Sequence, residues 1–507
     1  MTAMGKNISI EEITNFSKKK GFVYPTADIY GGLSGFFDYG HLGVELKNNI
    51  KERWWKFLVH KRDDIVGMDG SIITNPKVWK ASGHVDNFGD LILTCKNCKN
   101  KIRADHFIED ELNINADGYS AEEINKIIQE NNLKCPKCKG DFDEIKSFNL
   151  MFKTNVGPVV SNENTAYLRP ETAQNIFTDF KRIFNTYRGK LPFGIAQVGL
   201  AFRNEISPRN FLIRMRAFHQ AEIEIFFDPE DDKCPIERVK DIKIPFVSRE
   251  SQLNGEEKIE WKSIGELLED GIIKARWQAY YLAKEYEFFT KVLGIPKEKL
   301  RFRYALEEET PFYSKGNFDL EVYMDELKWK EVVGNAYRTD YDLSTHSKYS
   351  GEDFSITTDD GRKIIPHVVE PSLGIERTLL SILWYSFKEK GKDRGWNWLK
   401  LPYHLSPYLV AVFPLLSNKE ELVNKAREVF EILRKEFGND VLYDEKGSIG
   451  KRYARVDEIG VPFAITIDHQ TLEDNTVTIR FRDTKTQERI AIDKIVEKIT
   501  SLVEIRI

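Results

Sequence analysis

The clearest alternation of polar and apolar positions lies in the segment FRNEISPRNFLIRMRAFHQAEIEIF, residues 202–226. Its odd positions from 213 to 225 are mostly apolar, whereas its even positions carry Arg214, Arg216, Phe218, Gln220, Glu222 and Glu224. Because successive side chains of a strand point to opposite faces, this pattern predicts a strand with one apolar and one charged face. The turn-forming stretch ISPRN connects it to a preceding strand that ends with Arg203 and Glu205 on one face. The pattern predicts an antiparallel hairpin, whose charged face is either a solvated surface or the floor of a binding site.

Apolar periodicity also predicts the elements on either side of this hairpin. Helical spacing marks residues 43–60 and 272–293, and strand patterns fill much of residues 301–343. A strand is predicted to end at Pro76, and Pro170 is predicted to open a helix near its first turn. The segment IIPHVVEPSLGIERTLLSIL predicts a strand, a short turn and a helix, with Ser372 as the helix N-cap.

The pattern changes near residue 400, where strands and helices begin to alternate. The helix in SNKEELVNKAREVFEILRKEFG is predicted to start with a capping box between Ser417 and Glu420 and to end at Gly438. Strand patterns in VPFAITID and VTIRFRD follow, and AIDKIVEKITSLV predicts a final helix. The last hundred or so residues are therefore predicted to form a compact α/β domain.

Composition indicates a globular protein with a sizeable core. Of the 507 residues, 41% are hydrophobic and 31% are charged, and the formal net charge is −5. No stretch approaches the roughly 18 apolar residues of a membrane span. The N-terminal residues MTAMGKNISIEEITNF lack the apolar run of a secretory signal, so the cytoplasm is the expected location. The small net charge indicates no chain-wide basic field, and it is compatible with a local basic surface.

Four of the five cysteines form two CxxC pairs, Cys95 with Cys98 and Cys135 with Cys138, while Cys234 stands alone. In a cytosolic chain this pattern favours zinc over disulfides, because two tight turns supply the four sulfurs of a tetrahedral site. The alternative is a set of reduced thiols without metal. Four thiolates leave no open coordination position, so the predicted zinc is structural and not catalytic.

A second charged position lies where the segment VVEPSLGIERTLL passes from strand to helix. Arg377 is predicted within the first helical turns, where a cation opposes the helix dipole at a cost of roughly 0.3–1 kcal/mol. An anion bound at that helix end would offset the cost, because backbone N–H groups and Arg377 would both face it. A surface pair between Arg377 and Glu376 is the alternative.

Together these strings resemble the class II aminoacyl-tRNA synthetases. The hairpin with Phe-Arg-x-Glu and a returning phenylalanine resembles their motif 2, the strand–Gly-x-x-Arg–helix pattern resembles motif 3, and the helix and strand ending at Pro76 resemble motif 1. In finer detail YLRPETAQNIF, the hairpin, WKEVVGNAYRTDYDLSTH and EPSLGIERTLL resemble the α2-type glycyl-tRNA synthetases, from about residue 10 to the C-terminus. Two stretches, YGHLG and EEETPFYS, depart from the pattern of that family.

The resemblance implies a fold, a domain division and a subunit arrangement. Residues 1–400 are expected to form an α+β catalytic domain on an antiparallel sheet, with a zinc-binding insertion at 90–145 and a helical insertion at 232–300. Residues 401–507 are expected to form an anticodon-binding α/β domain. Its basic residues, expected either to face tRNA or to form a solvated face, are Lys446, Lys451, Arg452, Arg455, Arg480 and Arg482. Because motif 1 builds the subunit interface in the family, a homodimer is expected.

The resemblance also implies an activity, that of a glycine–tRNA ligase. Such an enzyme activates glycine with ATP to glycyl-adenylate and transfers glycine to the 3′-terminal adenosine of tRNA(Gly). The glycine carboxylate needs no general base, so catalysis is positioning and charge stabilisation. By resemblance the catalytic residues are Arg203, which holds the α-phosphate and the glycine carboxylate, and Arg377, which holds the γ-phosphate.

The resemblance further assigns the ATP site. Phe218 is expected to stack on adenine, Glu205 to contact the adenine edge, and Glu331 to assist ATP through Mg²⁺. Either Arg214 or Arg216 is expected to meet the bent triphosphate. The expected ATP-binding residues are Arg203, Asn204, Glu205, Ile213, Arg214, Met215, Arg216, Ala217, Phe218, Glu331, Val332, Gly374, Ile375, Glu376 and Arg377.

For glycine, the resemblance implies acids that orient the ammonium group and, with Ser372, occupy the volume of a larger side chain. The alternative is that these acids belong to structural salt-bridge networks. The expected glycine-binding residues are Arg103, Glu171, Phe218, His219, Gln220, Ala221, Glu222, Glu370, Pro371, Ser372, Leu373 and Gly374.

Two other functions stand as alternatives. A prolyl or threonyl class II synthetase with the same C-terminal domain would need a pocket with room for a side chain. A synthetase-like protein that binds nucleic acid without catalysis would be expected to lack the motif arginines, and here Arg203 and Arg377 are present.

Overall fold

The computed structural model of the chain describes residues 8–112, 114, 116, 119–392 and 394–503, apart from the side chain of Asn162. The first seven residues of the N-terminal segment discussed above lie outside the described residues. Within the described ranges, we find no helix that has both the length and the apolar character of a membrane crossing.

The α-helices, in chain order, are α1 (Ile10–Lys20), α2 (His41–Leu58), α3 (Pro76–Ala81), α4 (His84–Asn87), α5 (Ala104–Leu112), α6 (Ala121–Glu130), α7 (Ala173–Tyr187), α8 (Arg249–Leu253), α9 (Ile264–Glu269), α10 (Arg276–Glu287), α11 (Tyr341–Ser350), α12 (Ile375–Ser386), α13 (Glu420–Phe437), α14 (Ile449–Glu458), α15 (His469–Asp474) and α16 (Ile495–Val503). 

The strands up to residue 400 are β1 (Val23–Pro25), β2 (Phe37–Tyr39), β3 (Ile65–Gly67), β4 (Ile73–Thr74), β5 (Gly89–Thr94), β6 (Lys101–Arg103), β7 (Lys146–Asn149), β8 (Lys153–Asn155), β9 (Thr165–Leu168), β10 (Phe193–Phe202), β11 (Ala217–Phe227), β12 (Lys243–Val247), β13 (Glu260–Ser263), β14 (Leu300–Tyr304), β15 (Asn317–Met324), β16 (Lys328–Thr339), β17 (Ile356–Thr357), β18 (Lys363–Ile364), β19 (His367–Gly374), β20 (Phe387–Lys388) and β21 (Trp398–Leu399). The remaining strands are β22 (Val410–Pro414), β23 (Val441–Tyr443), β24 (Phe463–Ile467), β25 (Thr476–Phe481) and β26 (Gln487–Ala491).

A nine-stranded sheet, in the order β13-β12-β14-β15-β16-β19-β11-β10-β3, forms the centre of the described catalytic part. Its pairs are antiparallel except β12 with β14 and β10 with β3, which are parallel. One face packs under α2, α10 and α12 in the largest hydrophobic cluster. The other face is closed at one end by α7 and its phenylalanines and opens at the other end. The antiparallel α+β architecture predicted from the sequence is confirmed.

The predicted hairpin is present as β10 and β11, paired from Phe202 with Ala217 to Phe193 with Phe226. Its strand alternation is also present: Ala221, Ile223 and Ile225 lie in the main core, on the face opposite the acids. The returning strand begins later than the pattern indicates, because Phe211–Ile213 forms a 3₁₀ turn and regular pairing starts at Ala217. The interpretation of the even face as a solvated surface is wrong, because Gln220, Glu222 and Glu224 are buried.

Three predicted helix starts are wrong, each for a local reason. Ser372 is not an N-cap: β19 runs straight into α12 with Gly374 as the N-cap, and the Ser372 hydroxyl bonds across the sheet to Glu222 instead. Ser417 forms no capping box, because α13 begins at Glu420 after Lys419, whose side chain makes no capping bond. Pro170 does not open α7, which starts at Ala173 after Thr172.

Other predicted elements differ in extent or composition. Pro76 ends no strand: it is the first residue of α3, behind an Asn75 side chain that caps Lys77 N–H. The helix predicted at 272–293 is α10, continued by a π-helical turn at Phe288–Val292. The interval 232–300, expected to be helical, also contains β12 and β13, which extend one edge of the central sheet. Gly438 is the C-cap of α13, as predicted.

The C-terminal part is a five-stranded sheet in the order β23-β22-β24-β25-β26, with α13 and α16 packed in its own hydrophobic cluster. Three of its basic residues do not face solvent, since Arg452, Arg480 and Arg482 are 1%, 5% and 1% exposed. Arg480 makes two parallel bonds to Asp457, at 2.8 and 2.9 Å. The expectation that these three arginines face tRNA is wrong.

Candidate active site

A cleft opens on the face of the central sheet that carries Glu222 and Glu370. Its floor is a row across neighbouring strands, in which Glu222 of β11 pairs with Ser372 of β19, and Ser372 pairs with Gly334 of β16. The 3₁₀ turn before β11 and the first residues of α12 close one side. The predicted residues that line the cleft are Glu171, Arg203, Glu205, Ile213, Arg214, Met215, Phe218, Gln220, Glu222, Glu331, Val332, Glu370, Ser372, Gly374, Glu376 and Arg377.

One end of the cleft is cationic and aromatic. Arg203 lies between two rings, with its guanidinium carbon 5.3 Å from the centre of Phe218 and 5.4 Å from that of Phe88. Its Nε donates to the Pro170 carbonyl at 3.1 Å, and its terminal nitrogens bond no group in the described part of the chain. The bond from Nε to the Pro170 carbonyl holds the side chain in place and leaves the two terminal nitrogens available to bind an anion.

Arg377 is held at the N-terminal end of α12. Its Nε donates to the Ile213 carbonyl at 3.0 Å, and one terminal nitrogen donates to the backbone and the carboxylate of Glu331, at 2.9 and 3.0 Å. The predicted position in the first helical turn is confirmed, and the partner in the structure is Glu331. Glu376 instead accepts from the Tyr39 hydroxyl and from the backbone and ring of His219.

Arg214 and Arg216 point to different places. Arg214 lines the cleft, 3.5 Å from the Glu205 carboxylate, and its buried Nη1 has no hydrogen-bond partner among the described residues. Arg216 donates to the backbone carbonyls of Glu205 and Ser34, and it does not line the cleft. Of the two arginines proposed for the triphosphate, the geometry favours Arg214.

The other end of the cleft is acidic, and its three acids are buried. Glu222 accepts hydrogen bonds from Ser372 Oγ at 2.6 Å, Gln220 Nε2 at 2.9 Å and the Thr172 hydroxyl. Glu370 accepts from Arg338 at 2.6 Å. Glu171 accepts from Gln174 at 3.0 Å. These bonds hold each carboxylate at the edge of the cleft.

Neighbouring charges and burial set unequal proton affinities at this acidic end. Burial acts to raise the pKa of Glu171, but His84 Nε2 at 3.2 Å and Arg338 hold that pKa well below its usual range. Burial and the charge of Glu171 raise the pKa of Glu222. Burial, opposed by Arg338, raises the pKa of Glu370 to about 8. A cation entering this end would favour the ionised forms of all three acids.

Several predicted residues do not line the cleft: Arg103, Asn204, Arg216, Ala217, His219, Ala221, Pro371, Leu373 and Ile375. Ala221, Leu373 and Ile375 belong to the hydrophobic core on the opposite face. Arg103, on β6, forms ion pairs with Asp90 at 3.0 Å and Asp105 at 2.6 Å. His219 serves as a partner of Glu376.

The sequence patterns missed another part of the wall, formed by Leu212, Pro311, Tyr313, Asn317, Gly334 and Ala336. Tyr313 is the largest of these side chains, and the Arg338 guanidinium lies 3.8 Å from its ring centre. Gly334 sits opposite Ser372, where the absence of a side chain keeps the floor open. The alternation within β16 was the available signal, because Gly334 and Ala336 are two residues apart and share one face of that strand.

The four paired cysteines meet at the end of a small sheet formed by β6, β5 and β7. Cys95 Sγ lies 3.4 Å from Cys138 Sγ, and Cys98 Sγ lies 3.7 Å from Cys135 Sγ. In both knuckles the residue after the second cysteine has positive φ and donates its N–H to the first cysteine's carbonyl. Zn–S bonds of about 2.3 Å in a tetrahedron require sulfurs ~3.8 Å apart, so this donor set fits zinc. Cys234 is remote in sequence and buried in the main core.

Comparisons with known proteins agree with this geometry. A family model described as "tRNA synthetase class II core domain (G, H, P, S and T)" matches residues 152–384, and one described as "Anticodon binding domain" matches residues 409–502. A glycine–tRNA ligase from Aeropyrum pernix is 39% identical, over 96% of this chain and 96% of its own length. One from Mycoplasma mycoides subsp. mycoides SC is 41% identical, over 97% of this chain and 99% of its own length.

Solved structures show the same fold at low sequence identity. A prolyl-tRNA synthetase from Cryptosporidium parvum, complexed with L-proline and AMP, aligns with a TM-score of 0.57 at 14% identity, over 98% of this chain and 75% of that chain. The same protein with halofuginone and AMPPNP aligns with a TM-score of 0.59 at 15% identity, over 97% of this chain and 77% of that chain. The full-length sequence matches, not this structural likeness, establish the family: the chain belongs to the glycine–tRNA ligases, which carry a class II aminoacyl-tRNA synthetase core.

Proposed function

We propose that this chain joins ATP and glycine in the cleft to form glycyl-adenylate, and that it then transfers the glycyl group to the 3′-terminal adenosine of tRNA(Gly). The observation that carries the proposal is the polarity of one cleft, which is cationic and aromatic at one end and acidic at the other. A triphosphate with a base suits the first end, and a small molecule with an ammonium group suits the second. The carboxylate of the amino acid then lies between them.

At the cationic end we assign the ring of Phe218 to adenine and the edge contact to Glu205. Arg203, whose terminal nitrogens are free of bonds to described residues, holds the α-phosphate and the glycine carboxylate. Arg377 holds the γ-phosphate, and Arg214 meets the bent triphosphate. Charge-assisted donors of this kind are about twice as strong as neutral ones, and their forks are fixed here by backbone carbonyls.

The chemistry needs positioning more than proton transfer. A carboxylate oxygen of glycine attacks the α-phosphorus, a new P–O bond forms, and the bond to the bridging oxygen breaks to release pyrophosphate. The ribose hydroxyl of the terminal adenosine next attacks the carbonyl carbon, and AMP leaves. Mg²⁺, when bound, would offset triphosphate charge, and the half-exposed carboxylate of Glu331 beside Arg377 is the protein oxygen best placed to hold it.

At the acidic end we assign the ammonium group to Glu171, Glu222 and Glu370. Glycine has no side chain to grip, so selection has to come from excluding larger amino acids. The Ser372 hydroxyl, bonded to Glu222 at 2.6 Å, and the Tyr313 ring, covered by Arg338, take up the space into which a side chain would extend. A wall filled in this way argues against a prolyl or threonyl enzyme, whose substrate has a side chain.

For the cysteine module we propose one structural Zn²⁺ on Cys95, Cys98, Cys135 and Cys138, supported by the sulfur spacing. Zinc bound this way stabilises the folded insertion, because the unfolded chain has no preformed site. Metal analysis of chelator-washed protein tests this proposal: one equivalent of zinc is expected, and Cys234→Ser is expected to leave that count unchanged. A fully active preparation without metal would contradict it.

We also propose that the chain acts as a homodimer in the cytoplasm, with a catalytic domain over residues 1–400 and an anticodon-binding domain over residues 401–507. Support comes from the motif 1 pattern at α2 and from the separate hydrophobic cluster of the C-terminal sheet. Sedimentation at micromolar concentration tests the subunit state, and an active monomer would refute the dimer.

Amino-acid-dependent exchange of pyrophosphate into ATP tests the activity. Glycine is expected to support exchange, and alanine to be at least about 10²-fold poorer, because a methyl group clashes with the filled wall of the pocket. Equal rates with proline or threonine would replace the proposed function with that of another class II synthetase. No exchange with any amino acid would point to the non-catalytic alternative.

Glu222→Gln tests whether glycine and ATP bind at different ends of the cleft. The change removes a charged acceptor from the ammonium site and leaves every cationic residue in place. We expect the KM for glycine to rise about 10-fold or more while the KM for ATP stays nearly constant. The exposed Glu237→Gln is the matched control. Equal weakening of ATP and glycine would assign Glu222 to the scaffold.

A further inference from the structure

The strand that forms the cleft floor continues past it into the interior. Along one face of β11 the side chains follow in the order Phe218, Gln220, Glu222, Glu224 and Phe226. Phe218, Gln220 and Glu222 line the cleft, whereas Phe226 packs against Phe180 of α7, with ring centres 4.0 Å apart. Glu224 sits between these two environments and does not line the cleft. It is one strand step deeper than the proposed ammonium site.

Glu224 has an unusual hydrogen-bonding state for a buried acid. It is 0% exposed, and neither of its carboxyl oxygens has a hydrogen-bond partner in the described ranges. An ionised carboxylate without partners is far more costly to bury than a neutral acid. A neutral acid still has one O–H donor, which needs an acceptor. A neutral Glu224 therefore needs a hydrogen-bond acceptor close to its carboxyl group.

Two acceptors are close, because carboxylate oxygens of Glu222, Glu224 and Glu370 lie within 4.8 Å of one another. Glu222 already accepts bonds from Ser372, Gln220 and Thr172. Glu370 accepts one bond, from Arg338 to its Oε2, and its Oε1 accepts none from the residues described. Glu370 is therefore the acceptor with unused capacity.

We propose that, with the substrate ammonium group bound, Glu224 is a neutral carboxylic acid that donates a hydrogen bond to Oε1 of Glu370 and so positions the ionised Glu370 against that ammonium group. The inference rests on the proposed glycine site and deepens it by adding a positioning residue that never touches the substrate. An O–H···O hydrogen bond spans about 2.5–3.0 Å, so the proposed bond requires the two carboxyl groups to close from a separation of no more than 4.8 Å. A buried acid kept neutral so that it can donate is known enzyme chemistry.

The charged groups around Glu224 agree with a neutral state. Glu222 is on its own strand, Glu370 faces it from β19, Arg338 from β16 and Asp342 from α11. His346 is the other buried titratable residue of α11, and the buried side chains of α7 carry no titratable group. Burial and the negative charge of Glu370 raise the pKa of Glu224 well above its usual range, against the opposing charge of Arg338.

Three substitutions test the inference: Glu224→Gln, Glu224→Leu and Glu224→Met. Glutamine keeps a donor and the neutral charge, so the KM for glycine in pyrophosphate exchange is expected to stay within about 3-fold of the wild-type value. Leucine and methionine keep the volume but lose the donor, so this KM is expected to rise about 10-fold or more. The KM for ATP is expected to change less than about 2-fold in all three variants, because the cationic end is untouched. Methionine covers the case in which the branched leucine fails to fold.

The pH profile gives a readout that a purely structural role would not move. A carboxylate that loses a donor binds its proton more tightly. The acid limb of kcat/KM for glycine is therefore expected to shift to higher pH in Glu224→Leu and Glu224→Met, and to coincide with wild type in Glu224→Gln.

Two results would overturn the inference. A folded Glu224→Leu with the wild-type KM and profile would make Glu224 structural. A Glu224→Gln variant as weak as Glu224→Leu would mean that Glu224 is ionised and acts by charge. If the wild-type protein did not use glycine at all, the proposed function would fail first, and this result is distinguishable from both.

Discussion

The arginines of the cleft and those of the C-terminal sheet look alike in sequence and differ in what their nitrogens bond. Arg203 and Arg377 are each tied to a backbone carbonyl through Nε and keep at least one terminal nitrogen without a partner among the described residues. Arg482 donates from all three nitrogens, to Asp483, Gly460 and Leu401. Arg480 donates both terminal nitrogens to Asp457.

The difference teaches how a functional cation can be told from a structural one. An arginine whose donors are all bonded within the protein can accept no anion without losing bonds it already has. An arginine that is anchored at one nitrogen and open at another is held in place and remains able to bind phosphate. Among these arginines, an anchored side chain with an open terminal nitrogen therefore distinguishes those that line the cleft, and net charge does not.

The largest effect is expected on stability, from substitution of a structural arginine in the C-terminal sheet. Arg480→Ala leaves Asp457, which is 0% exposed, with Arg394 at 3.3 Å as its remaining ion-pair partner, and it should lower the free energy of unfolding by about 3–5 kcal/mol. Exchange activity per folded molecule should not change. Chemical denaturation measures the first quantity, with Arg489→Ala as the control, since its more exposed pair with Asp468 is worth roughly 0–1 kcal/mol. Equal stability of the two variants would remove the distinction.

The next largest effect is expected on the exchange rate, from substitution of the two proposed catalytic arginines. Arg203→Ala and Arg377→Ala should each reduce pyrophosphate exchange by about 10²–10³-fold, because each removes donors aimed at developing phosphate charge. Their thermal unfolding midpoints should lie close to that of the wild type, since each arginine makes few internal bonds. Near-normal exchange in both variants would contradict the assigned roles.

The smallest effects are expected for Arg214 and Arg216, and the exchange rates of their variants should differ. Arg214→Ala removes a cation that lines the cleft and has a nitrogen without a hydrogen-bond partner, so exchange should fall on the order of 10–100-fold. Arg216→Ala removes bonds to the carbonyls of Glu205 and Ser34 and should cost less than about 10-fold, through loosening of the turn. Rates measured at saturating ATP and glycine compare them directly. The reverse order would show that Arg216, not Arg214, meets the triphosphate.

Much of the catalytic fold follows from local patterns. The alternation along residues 217–226 identifies both faces of β11. The strand-to-helix pattern places Arg377 in the first turn of α12, directly after β19. Where the prediction fails, a long-range partner has overridden a local preference. Ser372 has the composition of an N-cap, yet its hydroxyl finds Glu222, which is 150 residues away in the chain.

The missed and misplaced residues have a common cause. Tyr313 lies in EEETPFYS, a stretch that departs from the family pattern, and it enters the cleft because this loop between β14 and β15 folds back against Arg338. The burial of Arg452, Arg480 and Arg482 was equally invisible, since a sequence displays a charge and not its partner. Periodicity predicts the face of a strand or helix on which a side chain lies. It does not predict which residue of a neighbouring element that side chain will contact.

The single strand β11 bears both the proposed base-stacking ring and a proposed ammonium-binding acid, with consequences for inhibitor design. Phe218 and Glu222 are four residues apart, which in an antiparallel strand is ~13–14 Å. The strand therefore fixes the spacing of the two backbone positions that carry the groups proposed for the two halves of the adenylate. A bisubstrate compound whose linker is one strand step too long, ~7 Å, will fill either the base position or the amine position, but never both.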